Sequence, residues 1–262
     1  MIESFLVTAR DDERIRVVVV GCSIGRGVGD ELSDIDALIG VRADAWSAVL
    51  VESHGWIERA GTVLDMHQML MPEGAPEDRR SQYSYVQFAN GVEMDLNVSR
   101  VRDDWRRRAD WIVLYDPDHA VPAEIVRSTQ NDEDIRRWGY AAFTRLGAVA
   151  KYVTRGALWE AHSCLELARG DVWRIWAVAE GVADAQHGVA AVFDDPRRPV
   201  PPMMQQTVAA LDREPLIAAA LACLGIATDA WPRAMAAVAS DARALPPLAA
   251  HVERRLRRVA TG

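Results

Sequence analysis

The hydrophobic pattern of the chain changes its period near residue 130, and this change limits the folds that its 262 residues can adopt. Short apolar runs alternate with turns in the first 120 residues, whereas from about Asn131 the apolar residues recur at helical spacing. The chain is 50% hydrophobic and 26% charged, which is typical of a globular protein. We therefore expect two domains, an α/β domain over 1–128 and a helical bundle over 129–262.

Local sequence patterns in both halves predict where the strands and helices lie. Alternating strands flank Asn90-Gly91, the dipeptide preferred by a two-residue type I′ hairpin turn. Further strands are predicted over 16–20, 35–41, 62–71 and 111–118, with a helix over 43–54. In the second half, apolar stripes predict helices over 131–154, 157–182, 203–224, 230–244 and 246–259. The remaining stretch, 185–202, is predicted to be a long surface loop.

The charge of the chain is concentrated in its first half. Residues 1–130 carry 23 acidic and 14 basic side chains, whereas residues 131–262 carry 15 and 16. An acidic binding face repels nucleic-acid phosphates and favours metal cations or a cationic small molecule. We find no apolar run that approaches the roughly 18 residues of a membrane span and no signal peptide at the start of the sequence. The expectation is a cytoplasmic protein that binds neither nucleic acid nor a membrane.

Two aspartates open the second predicted strand. Asp34 and Asp36 are separated by Ile35, and because side chains alternate along a strand, both carboxylates point to one face. Two carboxylates at one place repel each other unless a cation neutralises them. Carboxylates together with substrate phosphates are the ligands that Mg²⁺ prefers. The pair therefore predicts a magnesium site.

A glycine-rich turn lies between the first strand and this aspartate pair. Its residues Gly21, Ser23, Gly25, Gly27 and Gly29 allow backbone N–H groups to face an anion. A dinucleotide site is a second reading of the glycines, but acids rather than a helix follow them, and the turn has no Walker lysine. The turn is better interpreted as a phosphate site beside a metal.

The predicted hairpin supplies further carboxylates. Glu93, Asp95 and Asn97 share one face of its second strand. Two Mg²⁺ ions held by three carboxylates can clamp a nucleoside triphosphate and stabilise both the attacking and the leaving oxygens of a displacement.

These motifs together resemble a known superfamily. Ser23 to Arg26, followed by Ser33 to Asp36, resembles the signature of polymerase-β-like nucleotidyltransferases, a Gly-Ser pair followed by Asp-x-Asp or Asp-x-Glu. The spacing is similar to that of the kanamycin and lincosamide nucleotidyltransferases. DDERI, WIVLYDPD and EAHSCLELAR also fall in the order of the lincosamide type, so the likeness covers about residues 10–180.

The resemblance implies a fold and a reaction. The fold is an N-terminal polymerase-β-like mixed α/β sheet with flanking helices, followed by a C-terminal helical bundle. In these families a hydroxyl of a small antibiotic attacks the α-phosphate of ATP, giving an adenylylated drug and pyrophosphate. The implied partners are thus ATP, Mg²⁺ and a small-molecule acceptor.

The resemblance also assigns roles to residues. The implied catalytic carboxylates are Asp34, Asp36, Glu93 and Asp95, and the implied nucleotide-binding residues are Gly21, Cys22, Ser23, Arg26 and Lys151. Metal binding is assigned to Asp34, Asp36 and Glu93. Glu93 is preferred as the base because Val92-Glu93-Met94 matches the apolar-Glu-apolar pattern of these enzymes, with Asp95 on the same face as the other choice.

The sequence departs from the family pattern at several positions. Cys22 stands where the family usually has glycine, and Gly147 stands where kanamycin-type enzymes have a glutamate one turn before a phosphate-binding lysine. Lys151 is either that lysine or a solvated side chain on a helix. Two other functions stay open: adenylylation of a protein or RNA, as in nucleotidyltransferase antitoxins, and a catalytically silent nucleotide-binding protein.

Overall fold

The structure is a computed structural model that describes residues 1–72, 76–125, 130–182, 184–193, 199–241 and 244–261. The chain divides into two compact units, Met1–Arg127 and Ser128–Gly262. The first contains a sheet with helices, and the second is helical. The predicted fold class, an α/β sheet followed by a helical bundle, is confirmed.

A mixed six-stranded sheet forms the centre of the first unit, in the order β3-β4-β5-β2-β1-β6. Neighbouring strands are antiparallel except β2 and β5, which are parallel. The strands are β1 (Ile15–Val20), β2 (Ile35–Val41), β3 (Val63–Met71), β4 (Ser81–Phe88), β5 (Glu93–Arg100) and β6 (Ile112–Tyr115), and the helices are α1 (Ile2–Asp11), α2 (Cys22–Gly25) and α3 (Trp46–Ala60).

The two faces of this sheet differ. One face packs against α1 and α3 through buried residues such as Trp56, Ile57 and Leu96. On the other face, Val17 and Val19 of β1 form a smaller apolar cluster with Trp105 and Val121. Val19 pairs with Leu38 of β2, so Leu38 points to this second face as well. Asp36 lies two residues from Leu38 on the same strand and therefore points to the same face, which places the polar side chains of the candidate site there.

The hairpin of β4 and β5 forms where the sequence predicts it, but its turn is not the predicted two-residue type I′ turn. Of Asn90 and Gly91, only Gly91 has a positive φ, of 85°. The Phe88 amide donates to the Val92 carbonyl at 2.9 Å, and the Gly91 amide donates to the Phe88 carbonyl at 3.0 Å. These bonds close a three-residue loop whose last residue is left-handed, so the predicted type I′ turn is wrong.

The second unit is a bundle of helices with one continuous apolar core. An N-terminal capping box, in which Asn131 and Asp134 exchange side-chain to backbone hydrogen bonds, begins the first of these helices. The region predicted as a loop contains a short helix over 189–193, and residues 194–198 lie outside the described residues. The helices are α4 (Asp132–Thr154), α5 (Leu158–Ala179), α6 (Val189–Phe193), α7 (Arg213–Ala237) and α8 (Pro247–Ala260).

Helix α7 differs from the prediction in two ways. The helices expected over 203–224 and 230–244 are replaced by this single helix, which continues through Pro232. By length and composition α7 also meets the criteria for a membrane span, which corrects the expectation of no such stretch. Of its most apolar window, 56% is buried inside the structure, and the core helix of a bundle meets the same criteria.

Candidate active site

Pairing of β2 with β5 brings the predicted carboxylates together. Asp36 lies directly opposite Asp95 in the parallel register. One side-chain oxygen each of Asp34, Asp36 and Asp95 can be chosen so that all three lie within 4.8 Å of one another. This is the distance range in which three carboxylates can share a cation.

Glu93 lies outside this group of three. It is the first residue of β5, its side chain is exposed, and it pairs across the hairpin with Gln87. The sequence places Glu93 and Asp95 on one face, but the register puts Asp95, not Glu93, opposite Asp36. The structure thus favours Asp95 over the preferred Glu93 as the third carboxylate.

Two of the three aspartates, Asp36 and Asp95, have raised pKa values. Burial and the negative charges of Asp36, Asp34 and Glu93 raise the pKa of Asp95 to about 6. Burial also raises the pKa of Asp36, partly offset by a hydrogen bond from the Cys22 thiol, while Asp34 raises it further. A site whose carboxylates resist ionisation in the bare protein gains from a bound cation, because the cation removes the like-charge repulsion.

The glycine-rich turn is attached to this acidic group. The Gly21 amide donates to the Asp36 carbonyl at 2.9 Å. Cys22 follows with a φ of 51°, in the left-handed region that favours glycine. Burial and the Asp36 charge raise the pKa of the Cys22 thiol to about 12, so this thiol stays protonated at neutral pH.

Ser23 has an unused hydrogen-bonding group in this turn. Its Oγ is buried and has no hydrogen-bond partner in the part of the chain that the structure describes. Buried hydroxyls are normally paired, and an unpaired one marks a place where a ligand supplies the partner. Ser23 therefore fits the predicted contact with a phosphate oxygen.

Arg26, another predicted nucleotide ligand of the turn, lies beside an aspartate that sequence reasoning missed. Its Nη1 is 3.8 Å from Oδ2 of Asp110, and the same oxygen accepts a hydrogen bond from the Cys22 amide at 3.1 Å. Asp110 is 88 residues from Cys22 in the sequence, so no local pattern could have connected them.

Lys151 and Gly147 lie in α4 of the helical unit. Lys151 is half-buried, with its Nζ 4.1 Å from the ring centroid of Tyr152. A Cβ at Gly147 would lie 3.4 Å from Cγ2 of Val252, so a side chain at this position would point toward α8. A glutamate one turn before Lys151 would therefore face the core of the bundle in this chain.

A row of side chains extends from the carboxylates across the sheet. Asp95 pairs with Tyr85 of β4, and Tyr85 pairs with His67 of β3. Directly opposed residues have Cβ atoms about 5 Å apart and point to the same face. Tyr85 is 42% exposed, and His67 is exposed as well. Sequence reasoning missed both, because their place beside the acids depends on register.

The geometry defines a site that can hold a divalent cation on aspartates beside a turn suited to phosphate. A family model for streptomycin adenylyltransferases matches residues 1–173. The chain belongs to the streptomycin adenylyltransferase family and is a nucleotidyltransferase.

Comparison of structures finds the crystal structure of an aminoglycoside 6-adenyltransferase from Bacillus subtilis, with 17% sequence identity and a TM-score of 0.43. That alignment covers 100% of this chain and 98% of the other. A comparison with curated protein sequences gives no significant match.

Proposed function

We propose that this enzyme transfers AMP from ATP to a hydroxyl of a small antibiotic and releases pyrophosphate, which would give resistance to that antibiotic. The observation that carries the proposal is the group of Asp34, Asp36 and Asp95 beside the Gly21 turn, in a chain of this family. In this proposal residues 1–128 form the nucleotidyltransferase domain and residues 129–262 a separate helical domain. The reaction uses ATP, so we place the enzyme in the cytoplasm.

The proposed metal is Mg²⁺, and we propose two ions, as the sequence predicts. Asp34, Asp36 and Asp95 would hold the Mg²⁺, because hard carboxylate oxygens within 4.8 Å of one another suit this cation. When bound, Mg²⁺ would neutralise phosphate charge that builds up during the transfer. The protein itself places Asp36 opposite Asp95 by the pairing of β2 with β5, and Asp34 directly precedes β2.

We assign the triphosphate to the turn and to cations near it. The turn residues Gly21, Cys22 and Ser23 would approach the phosphates with backbone and hydroxyl groups, and Arg26 would add a positive charge. The buried unpaired Oγ of Ser23 supports this assignment. Lys151 is proposed as a further phosphate ligand on the basis of family resemblance.

The acceptor is proposed to lie on the face that carries Asp95, Tyr85 and His67. The outward residues of β3 to β5 on this face include no arginine or lysine, and the exposed acids Asp65 and Glu93 lie on the same strands. Such a face favours a cationic, polyhydroxylated acceptor, because the amines would find acids and the rings would stack on tyrosine. This supports an aminoglycoside over a lincosamide, and a small molecule over RNA.

Pyrophosphate release with MgATP tests the proposal directly. The purified enzyme is incubated with aminoglycosides, lincosamides, total RNA or cell protein, and AMP incorporation into each acceptor is followed by mass spectrometry. The proposal expects adenylylated aminoglycoside. Adenylylated RNA or protein would support the antitoxin-like function, and nucleotide binding without transfer to any acceptor would support the silent one.

Lys151→Ala is expected to weaken the binding of MgATP about ten- to hundred-fold, the effect of losing a charge-assisted hydrogen bond. Isothermal titration calorimetry with a non-hydrolysable ATP analogue measures this affinity without acceptor. Arg155→Ala is the matched control, since Arg155 is an exposed cation that caps the same helix. Equal affinities in the Lys151 variant and the wild type would return Lys151 to the role of a solvated surface residue.

Tyr85→Ala is expected to raise KM for the acceptor about ten-fold while KM for MgATP stays unchanged, because an aromatic contact is lost on the acceptor side only. Steady-state kinetics with each substrate varied in turn measure both constants. Leu70→Ala is the control, as Leu70 is also 42% exposed and lies three residues from His67, on the opposite face of β3. A Tyr85 variant with wild-type KM for the acceptor would place the acceptor elsewhere.

A further inference from the structure

Asp110 is a buried carboxylate at the point where the chain enters β6. It is only 4% exposed, although charged side chains are rarely buried unless they are paired. Its Oδ2 accepts a hydrogen bond from the Cys22 amide at 3.1 Å. Asp110 therefore contacts the backbone of the glycine-rich turn.

Two arginines compensate the charge of Asp110. Nε of Arg108 donates to Oδ1 at 3.1 Å, and Nη2 of Arg108 lies 3.3 Å from Oδ2. Nη1 of Arg26 lies 3.8 Å from the same Oδ2 that the Cys22 amide contacts. One carboxylate oxygen thus contacts both the Cys22 amide at the start of the turn and the Arg26 guanidinium further along it.

The turn also packs directly on the backbone of Asp110. A Cβ at Gly25 would lie 1.7 Å from the Asp110 carbonyl oxygen, so only glycine permits this approach. Cys22, meanwhile, has a left-handed φ of 51°, a conformation that costs free energy in a residue other than glycine. A strained turn persists only when its surroundings hold it, and the Asp110 contacts are part of those surroundings.

We propose that Asp110 is a positioning residue of the nucleotidyltransferase site. It fixes the Cys22 amide and holds the Arg26 guanidinium beside the turn, so that the turn receives the triphosphate in one preformed shape. The inference rests on the proposed function, since it assumes that the turn binds ATP. Asp110 acts through Cys22 and Arg26 and contacts no reacting atom, because its oxygens are occupied by these groups and by Arg108.

Asp110→Asn and Asp110→Ala separate the two contacts. Asparagine keeps an oxygen for the Cys22 amide but loses the charge that holds Arg26, whereas alanine loses both. We expect MgATP affinity to fall about ten-fold or more in the alanine variant and by a smaller factor in the asparagine variant. KM for the acceptor should change little in either. Titration calorimetry with a non-hydrolysable ATP analogue gives the affinities, and kinetics give the two KM values.

A double-mutant cycle tests whether Asp110 acts through Arg26. If it does, Arg26→Gln combined with Asp110→Asn should weaken MgATP binding by less than the product of the two single effects. Independent effects that multiply fully would contradict positioning of Arg26 by Asp110.

Asp171→Asn controls for the loss of a buried, arginine-paired aspartate. Asp171 is 2% exposed and is paired with Arg145 and Arg174 within the helical unit. A purely structural role predicts that Asp110→Asn and Asp171→Asn both lower the melting temperature and leave MgATP affinity unchanged, which would overturn the inference.

The binding readout separates this inference from the proposed function. If the wild type binds MgATP but transfers AMP to no acceptor, the proposed function fails, and the affinities of the variants still decide the role of Asp110. If the wild type does not bind MgATP at all, the turn is not a triphosphate site and the inference falls with it.

Discussion

An Asp36→Asn variant is expected to transfer AMP at least about 10³-fold more slowly than the wild type, because it would lose a proposed ligand of the Mg²⁺ ion, whose stabilisation of phosphoryl charge amounts to several kcal/mol. The loss should appear in kcat at saturating MgATP and acceptor, measured by pyrophosphate release. Asp103→Asn, at an exposed aspartate outside the group of three, is the control and should keep wild-type turnover. Near wild-type kcat in the Asp36 variant would contradict the metal assignment.

The same Asp36→Asn variant is expected to be more stable than the wild type in a metal-free buffer. Burial raises the pKa of Asp36 above its ordinary value of 3.8 in the folded protein. The folded state thus holds a proton that the unfolded state has lost, and the unfolding free energy falls as pH rises from 3.8 through the folded pKa. Asparagine does not titrate, so the variant does not lose unfolding free energy in this way. The melting temperature of Asp36→Asn should therefore exceed that of the wild type at about pH 8.

Two further measurements check this origin of the stability gain. The difference in melting temperature should shrink toward zero as pH falls below 3.8, because the wild-type carboxyl is then protonated in both the folded and the unfolded state. Added Mg²⁺ should raise the melting temperature of the wild type and have a smaller effect on Asp36→Asn, because a ligand stabilises only the state that binds it. A pH-independent difference would point to a packing effect instead.

Local patterns were sufficient to predict most strands and the acidic motif. A strand such as β2 is a short β-branched run whose alternation depends only on its own residues, and Asp34 and Asp36 follow from that alternation. The hairpin was also predictable, since Asn90-Gly91 interrupts two alternating stretches. The turn type was not, because it depends on the loop length that the paired strands leave between them.

Contacts between distant segments could not be predicted in the same way. The parallel pairing that sets Asp36 opposite Asp95 joins strands that are not consecutive in the chain, and nothing local fixes that register. The bond from Cys22 to Asp110 spans 88 residues. A family pattern based on Val92-Glu93-Met94 therefore pointed to the strand that carries Asp95 but preferred a residue that lies outside the group of three.

Helix α7 illustrates a different limit of sequence reasoning. It is rich in alanine and buried on several sides, so its apolar residues do not mark where the helix begins and ends. The apolar stripes over 203–224 and 230–244 therefore suggested two helices where the structure has one that continues through Pro232. The outer helix α8, with basic residues opposite its buried Val252 and Leu256, was predicted almost to the residue.

Asp95→Asn is expected to lower kcat by about 10² to 10⁴, the usual effect of losing a general base, whereas Glu93→Gln should lower it by far less. The reason is position: Asp95 lies opposite Asp36 and within 4.8 Å of the paired aspartates, while Glu93 is exposed at the start of the strand. We therefore propose that Asp95 accepts the proton of the acceptor hydroxyl. Turnover of both variants is measured at saturating MgATP and acceptor.

Two controls make the comparison of these carboxylates decisive. MgATP affinity of the Glu93 variant, measured by calorimetry, should equal that of the wild type, since Glu93 is not among the grouped ligands. Circular dichroism and melting curves ensure that Asp95→Asn is folded. This variant should gain stability for the same reason as Asp36→Asn, because burial and the neighbouring negative charges raise the pKa of Asp95. A larger loss of kcat in Glu93→Gln than in Asp95→Asn would restore Glu93 as the preferred base, as the apolar-Glu-apolar pattern suggests. It would mean that the longer glutamate side chain reaches the acceptor from the start of β5.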